Sequence, residues 1–192
     1  MPNENTPRGF KPARMVTGEP YNGSMNPYRL VSGYGTSIFA GDMVKLVTGG
    51  TIEKAGVGEQ FRGIVAGFQW VGTDGVTRYS PFWPASTVTQ GALPATALVI
   101  DDPDVLFEAV FTNSTSAPTI AAIGATFDGF DAGGSTATGL SGQGVDFTTL
   151  ATSAKPWRFV DFVARPDNDT AAAYSRGLFA PSLHDYRVNT GI

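Results

Sequence analysis

The residues able to do chemistry are few and poorly matched to one another. His184 is the only imidazole in the chain. With serines and aspartates available, it could complete a hydrolytic triad, in which a base takes the proton of a nucleophilic hydroxyl. The G-x-S-x-G nucleophile elbow is missing, because Gly139-Leu140-Ser141-Gly142-Gln143 carries glutamine where the last glycine belongs. His184 therefore reads as a packing or surface residue. Asp101, Asp102 and Asp104, joined by Asp167 and Asp169, could supply some of the roughly six to eight oxygens that calcium takes. No calcium-loop spacing accompanies them, and an Asp-Pro turn entering a strand accounts for the cluster. Asp101 or Asp104 with Glu108 is the one compact candidate for the paired carboxylates of glycoside hydrolysis. Trp70, Phe82 and Trp83 could instead stack on a bound sugar. Neither a phosphate-binding loop nor a dinucleotide fingerprint occurs. The expectation is a protein that is not an enzyme and has no catalytic residues, cofactor or metal.

The elements that carry these residues are strands and turns. Gly 24 and Pro 13 in 192 residues favour turns over long helices, and 42% hydrophobic content is enough for a packed core. No cysteine is present, so stability comes from packing or association, and synthesis in a reducing cytoplasm fits. No apolar run is long enough to cross a membrane as a helix, and the first residues lack a signal-peptide core. The net charge of −4 is uneven. Residues 1–29 hold Arg8, Lys11, Arg14 and Arg29 against Glu4 and Glu19, while the remainder is acidic. An acidic body with scattered basic residues argues against a nucleic-acid partner.

Taken in order, residues 1–29 read as an extended arm. Five prolines break any helix, yet Phe10, Met15, Tyr21, Met25 and Tyr28 recur as apolar anchors. Such an arm orders by lying across a surface, whether its own body, a sister subunit or a larger assembly. Residues 30–112 read as the barrel core of a β-rich body that extends to residue 192. Met43–Val47 is a strand, Thr51–Ala55 an edge strand, and Phe61–Trp70 a curved strand with strict alternation of faces. Gly72-Thr73-Asp74-Gly75 marks a hairpin returning through Val76–Tyr79. Phe82 and Trp83, fenced by Pro81 and Pro84, lie on a loop that either lids the barrel or offers exposed aromatics for docking. Ala97–Ile100 and Val105–Thr112 are strands. Residues 113–192 add a Gly/Ser/Thr-rich second lobe or loops. Within them Trp157–Ala164 is a buried central strand, Thr170–Tyr174 one helical turn, Leu178–Ala180 a last strand and Ser182–Ile192 a tail. The fold class is all-β: a small barrel or sandwich body with an N-terminal arm.

The runs GYGTSIFAGDMVKL, GGTIEKAG and FRGIVAGFQW, then Phe82-Trp83-Pro84, VIDDPDVLFEAV, ATGLSG and WRFVDFVARPDND, resemble the capsid decoration (cement) proteins of tailed phages. The likeness covers most of residues 30–180, through short and tolerant motifs. It implies a β-barrel that trimerises on the capsid exterior and cements capsomer junctions, with the major capsid protein and sister subunits as partners. It carries no catalytic residue. The chain departs from the smallest lambda-type members in its length. On this reading Arg8, Phe10, Lys11, Arg14, Met15, Tyr21, Met25 and Tyr28 contact the partner, with Phe82 and Trp83 as a possible second docking point. Deleting residues 1–28 is then expected to abolish shell binding and leave a folded body. The alternatives are another virion component (head–tail connector, tail or fibre) or a carbohydrate-binding module.

Overall fold

The computed structural model describes residues 3–188. Its strands, in chain order, begin with β1 (Lys11–Met15), β2 (Asn26–Leu30), β3 (Ile38–Phe39), β4 (Met43–Val47) and β5 (Thr51–Lys54). There follow β6 (Gly63–Val71), β7 (Thr77–Ser80), β8 (Phe82–Trp83), β9 (Ala95–Ile100) and β10 (Val105–Thr112). The last five are β11 (Thr126–Phe127), β12 (Gly129–Gly134), β13 (Ser141–Asp146), β14 (Trp157–Phe162) and β15 (Arg176–Pro181). Among the described residues the helical content is three short 3₁₀ turns. Thr170–Tyr174 forms turns and not the expected helical turn. The expected tail is described only to residue 188, so its last four residues lie outside the described residues, as do the first two of the arm.

Five strands make a closed barrel in the order β4-β5-β2-β9-β6, with β6 returning to β4 through Met43↔Ile64 and Val44↔Gly63. Closure corrects two expectations. β5 is not an edge strand, because β2 takes its second side at Arg29↔Thr51. The arm does not end at residue 29, because Asn26–Leu30 pairs along its length with β9 and is a barrel stave. The barrel thus runs from β2 to β9, and β10 belongs to the other sheet. The Gly72–Gly75 turn links β6 to β7 as expected, with the Gly72 N–H donating to Val76 O at 2.9 Å.

The alternation of β6 is broken by a bulge. Val65 pairs with Val99 and Gly67 with Leu98, so Ala66 is the extra residue. A bulge shifts every later side chain to the other face. Val65 therefore points into the barrel together with Phe68 and Trp70, where strict alternation had placed it opposite them. Ile64 faces outward onto the second lobe. One end of the barrel is covered by β3 paired with β8. Trp83 is fully buried there, edge-on to Trp70 at 5.4 Å between ring centroids, and its Nε1–H donates to Tyr34 O.

The second sheet is open and curled, in the order β11-β14-β15-β10-β13-β12. β10 is buried on both faces, and its two edges explain why. β15 takes one edge, while β1 shares the other with β13, which lies parallel at Phe111 and Thr112. β14 is less central than its apolar sequence suggested. Its outer neighbour is the two-residue β11, and Arg158 and Asp161 remain exposed. The concave face holds a cluster of rings: Phe107, Phe111, Phe127, Trp157, Phe159 and Phe179, closed by Met43, Phe61, Ile64 and Ile100 from the barrel's outer side. The two lobes share this core.

The arm is built into that shared core. Gly9 and Gly41 cross with their backbones in contact, both at positive φ, and a Cβ on Gly9 would lie 2.8 Å from the Gly41 Cα. Only glycine tolerates both demands. The Gly9 N–H donates to Gln143 O and the Phe10 N–H to Gly41 O, at 2.9 and 3.0 Å. This crossing delivers Phe10 beneath Trp157, where the rings stack at 4.0 Å with 15° between planes.

Candidate partner-binding groove

The arm residues divide by what they touch. Phe10 is 1% exposed and is a core residue, which removes it from any docking surface. Met15 is partly buried against the same core, and Arg14 lies on β1 at the step where its register against β10 shifts. Tyr28 is engaged within the molecule. Its hydroxyl donates to Asp101 Oδ2 at 2.5 Å and accepts from Arg62 Nε at 2.8 Å, and burial pushes its pKa up. Asp101 also accepts from Asn26 Nδ2 at 2.8 Å.

Arg8, Lys11, Tyr21 and Met25 have a different fate. They stand along a groove of about 260 Å³ between the arm and the barrel, which Phe10 also lines. The groove floor is built from Ala40, Ile64, Ala66, Ile100 and Leu140. Small residues at 40 and 66 leave the depression, and the bulge of β6 puts Ala66 there. Arg8 and Lys11 are exposed, and Met25 is 41% exposed. The result is an apolar trough with two cations on its rim, on a molecule whose remainder is acidic. Such a trough suits an apolar side chain carried by a partner segment with negative neighbours. The rim residues were legible as arm anchors and charges. The floor was not, since it assembles small residues from segments far apart in the chain.

A second apolar surface lies on the opposite lobe. Ile120, 79% exposed, and Ile123 stand beside Phe162 and Pro118 around a wide, shallow basin. The sequence held no signal for it beyond the residues themselves.

The remaining candidates are occupied by structural roles. Trp83 is buried as the barrel lid, and Phe82 is half-buried and stacked on Phe39 at 5.5 Å, so neither is an exposed docking aromatic. Trp70 is buried too, which leaves no stacking platform among the three. Asp104 pairs with Arg187 and donates its N–H to Asp102 Oδ1, while Glu108 is gripped by both terminal nitrogens of Arg165 at 2.7 and 3.0 Å. Asp167 pairs with Arg165, and Asp169 Oδ1 accepts from the Ala171 N–H. Among the described residues no group of three or more His, Asp or Glu is arranged to hold a metal ion. His184 is a packing residue, 1% exposed, edge-on to Phe61 and tilted against Tyr186. Burial pulls its pKa down, against the pull of Asp185. Ser141 is buried and donates to Asp42.

No family model, no curated protein and no solved structure matches the chain.

Proposed function

We propose that the protein is a structural component of a phage virion that binds the outside of the capsid and cements the junctions between capsomers. The observation that carries this reading is the apolar groove rimmed by Arg8 and Lys11, on an arm held rigidly by its own body. A preformed site of this kind avoids the entropic cost of ordering a free tail on binding. The resemblance of residues 30–180 to decoration proteins names the partner class, the major capsid protein. The Ile120–Phe162 basin gives the molecule a second adhesive face, suited to sister subunits in a homotrimer. On this reading the protein is made in the host cytoplasm and resides on the capsid exterior, and its work is association and not catalysis.

The arm cannot be tested by deleting residues 1–28. That cut would remove part of a barrel stave and the Phe10 ring under Trp157. Surface changes in the groove are the sound probe. Arg8→Glu, Lys11→Glu and Met25→Asp together are expected to weaken co-sedimentation with assembled heads of the phage at least about tenfold, since each rim contact contributes on the order of a kcal/mol, and to leave the melting temperature unchanged. Binding equal to wild type would overturn the groove assignment. Electron microscopy of labelled particles gives the independent check. Density over the whole shell supports cement, whereas density at one vertex identifies a connector or tail component. Light scattering should give three times the 20.1 kDa chain mass.

A further inference from the structure

A second cluster joins the two lobes and has no part in the groove. Lys54 on β5 of the barrel reaches Asp131 on β12 of the second sheet, with Nζ to Oδ2 at 2.8 Å. On its other side Lys54 Nζ lies 3.4 Å from Asp42 Oδ2. The Lys54 side chain is 14% exposed, that of Asp131 29%, and that of Asp42 fully buried. Asp42 is fixed on both oxygens: Ser141 Oγ donates to Oδ1 at 2.5 Å, and the Phe39 N–H donates to Oδ2 at 2.9 Å. Asp131 Oδ1 accepts from the Gly133 N–H at 2.8 Å.

We propose that Lys54 and Asp131 condense into an intramolecular isopeptide bond, with Asp42 as the proton relay. The three groups have distinct roles set by position. The Gly133 N–H polarises one oxygen of Asp131 and meets the charge that develops there. The other oxygen faces Lys54 and is the one that leaves. Asp42 lies 3.4 Å from the same nitrogen and is held in place by Ser141 and Phe39. In the reaction Asp42 takes one proton from the Lys54 ammonium and hands it to Oδ2 of Asp131, and the freed amine attacks Cγ of the resulting acid. The nitrogen then gives up a second proton to the departing hydroxyl, which leaves as water. An ammonium and a carboxylate thus become an amide and one water, Asp42 ends as it began, and no oxidant or external reagent is needed.

The electrostatics set the pace. Burial disfavours the charge on Lys54, but Asp131 and Asp42 outweigh it and hold its pKa above the ordinary lysine value. Burial raises the pKa of Asp42 in turn, despite Lys54 and Ser141. Burial opposes the charge on Asp131, but Lys54 and the Gly133 N–H outweigh it and hold its pKa down. The reactive form is the tautomer in which the Lys54 proton has passed to Asp131, leaving amine and acid both neutral. Because it is the minor one, the bond forms slowly after folding. It fastens the barrel to the edge of the second sheet, where, among the described residues, β12 has no further strand beside it.

Intact mass of the purified, aged wild-type protein is the test. The expected species is lighter than the sequence by one water. Its tryptic digest is expected to contain Leu46–Arg62, uncleaved after Lys54, joined to Tyr79–Arg158, in which Pro156 protects the bond after Lys155. Lys54→Arg keeps the charge but removes the primary amine and is expected to show the full mass. Asp42→Asn, with its circular dichroism unchanged, is expected to convert at least tenfold more slowly. A wild-type protein that keeps its full mass after prolonged incubation overturns the proposal. So does loss of water without a linked peptide pair, the signature of aspartyl dehydration at Asp74-Gly75 or Asp128-Gly129.

Discussion

The barrel and the second sheet reach a closed core by different routes. The barrel completes itself: its five staves hydrogen-bond in a ring, and two short strands carrying Trp83 seal one end. Its interior is mostly aliphatic, with Leu30, Val44, Ile52, Val65 and Val99 around Phe68, Trp70 and Trp83. The second sheet does not close. It curls around a cluster of rings and borrows what it lacks, Phe61 and Ile64 from the outside of the barrel and Phe10 from the arm. A closed barrel has no edges to protect, whereas an open sheet needs a cover. Here the chain's own first segment is part of that cover. The same segment then forms the rim of the groove, so one element both covers the sheet and shapes the groove.

That contrast can be broken by removing one tryptophan from each lobe. Trp157→Ala is expected to cost about 3–5 kcal/mol in urea unfolding, the usual range for a buried Trp or Phe cut to Ala. It takes away the ring against which Phe10, Phe61 and Phe107 all pack. Trp83→Ala is expected to cost a similar amount but to open the barrel first. Hydrogen exchange should lose protection in β10, β14 and β15 for the former and in β6 and β9 for the latter. Identical exchange patterns would mean that the lobes do not differ as described. Ser141→Ala acts at the joint and deletes the hydroxyl that bonds buried Asp42. Leaving that oxygen short of a donor is expected to cost about 1–3 kcal/mol.

The C-terminal segment adds a smaller, pH-dependent effect. His184 sits against Phe61 at the seam of the two lobes, and burial lowers its pKa. The unfolded chain then binds a proton more readily than the folded one. Stability from this group is complete above the unfolded histidine value of about 6.5 and declines as pH falls from there toward the lower folded value. Urea midpoints at pH 7 and pH 5 should diverge more for wild type than for His184→Phe; equal divergence would remove His184 as the cause. The smallest effect on stability is expected from Arg8→Glu and Lys11→Glu, within about 0.5 kcal/mol because both are exposed.

The residues that made the fold legible are those governed by local rules. Asp74-Gly75 announced its hairpin, the alternation of Val105, Phe107, Ala109 and Phe111 announced β10, and the recurring anchors of residues 1–29 announced an arm that lies on something. What stayed hidden depended on distant partners. Nothing near Phe10 tells that its ring meets Trp157, and nothing in Thr51–Lys54 tells that β2 covers its second side. The Ala66 bulge was hidden for another reason. Gly63-Ile64-Val65-Ala66-Gly67 is composed of small and branched residues that fit either face, so composition gave no sign of the slip. The groove inherits that blindness, because its floor depends on the bulge. Lys54, Asp42 and Asp131 lie too far apart in sequence to read as a cluster.

The arm's placement also bears on the order in which the molecule is made. Asn3 bonds the carbonyls of Asp169 and Ala173, partners separated from it by 166 and 170 residues. β1 waits for β10, and Phe10 waits for β14. During synthesis the first segment to emerge has no surface to lie on until nearly the whole chain has followed, whereas every stave of the barrel is present by residue 100. Contacts of such long sequence separation form late and slowly. The groove therefore exists only on a completed chain, and a truncated or half-made product lacks its rim.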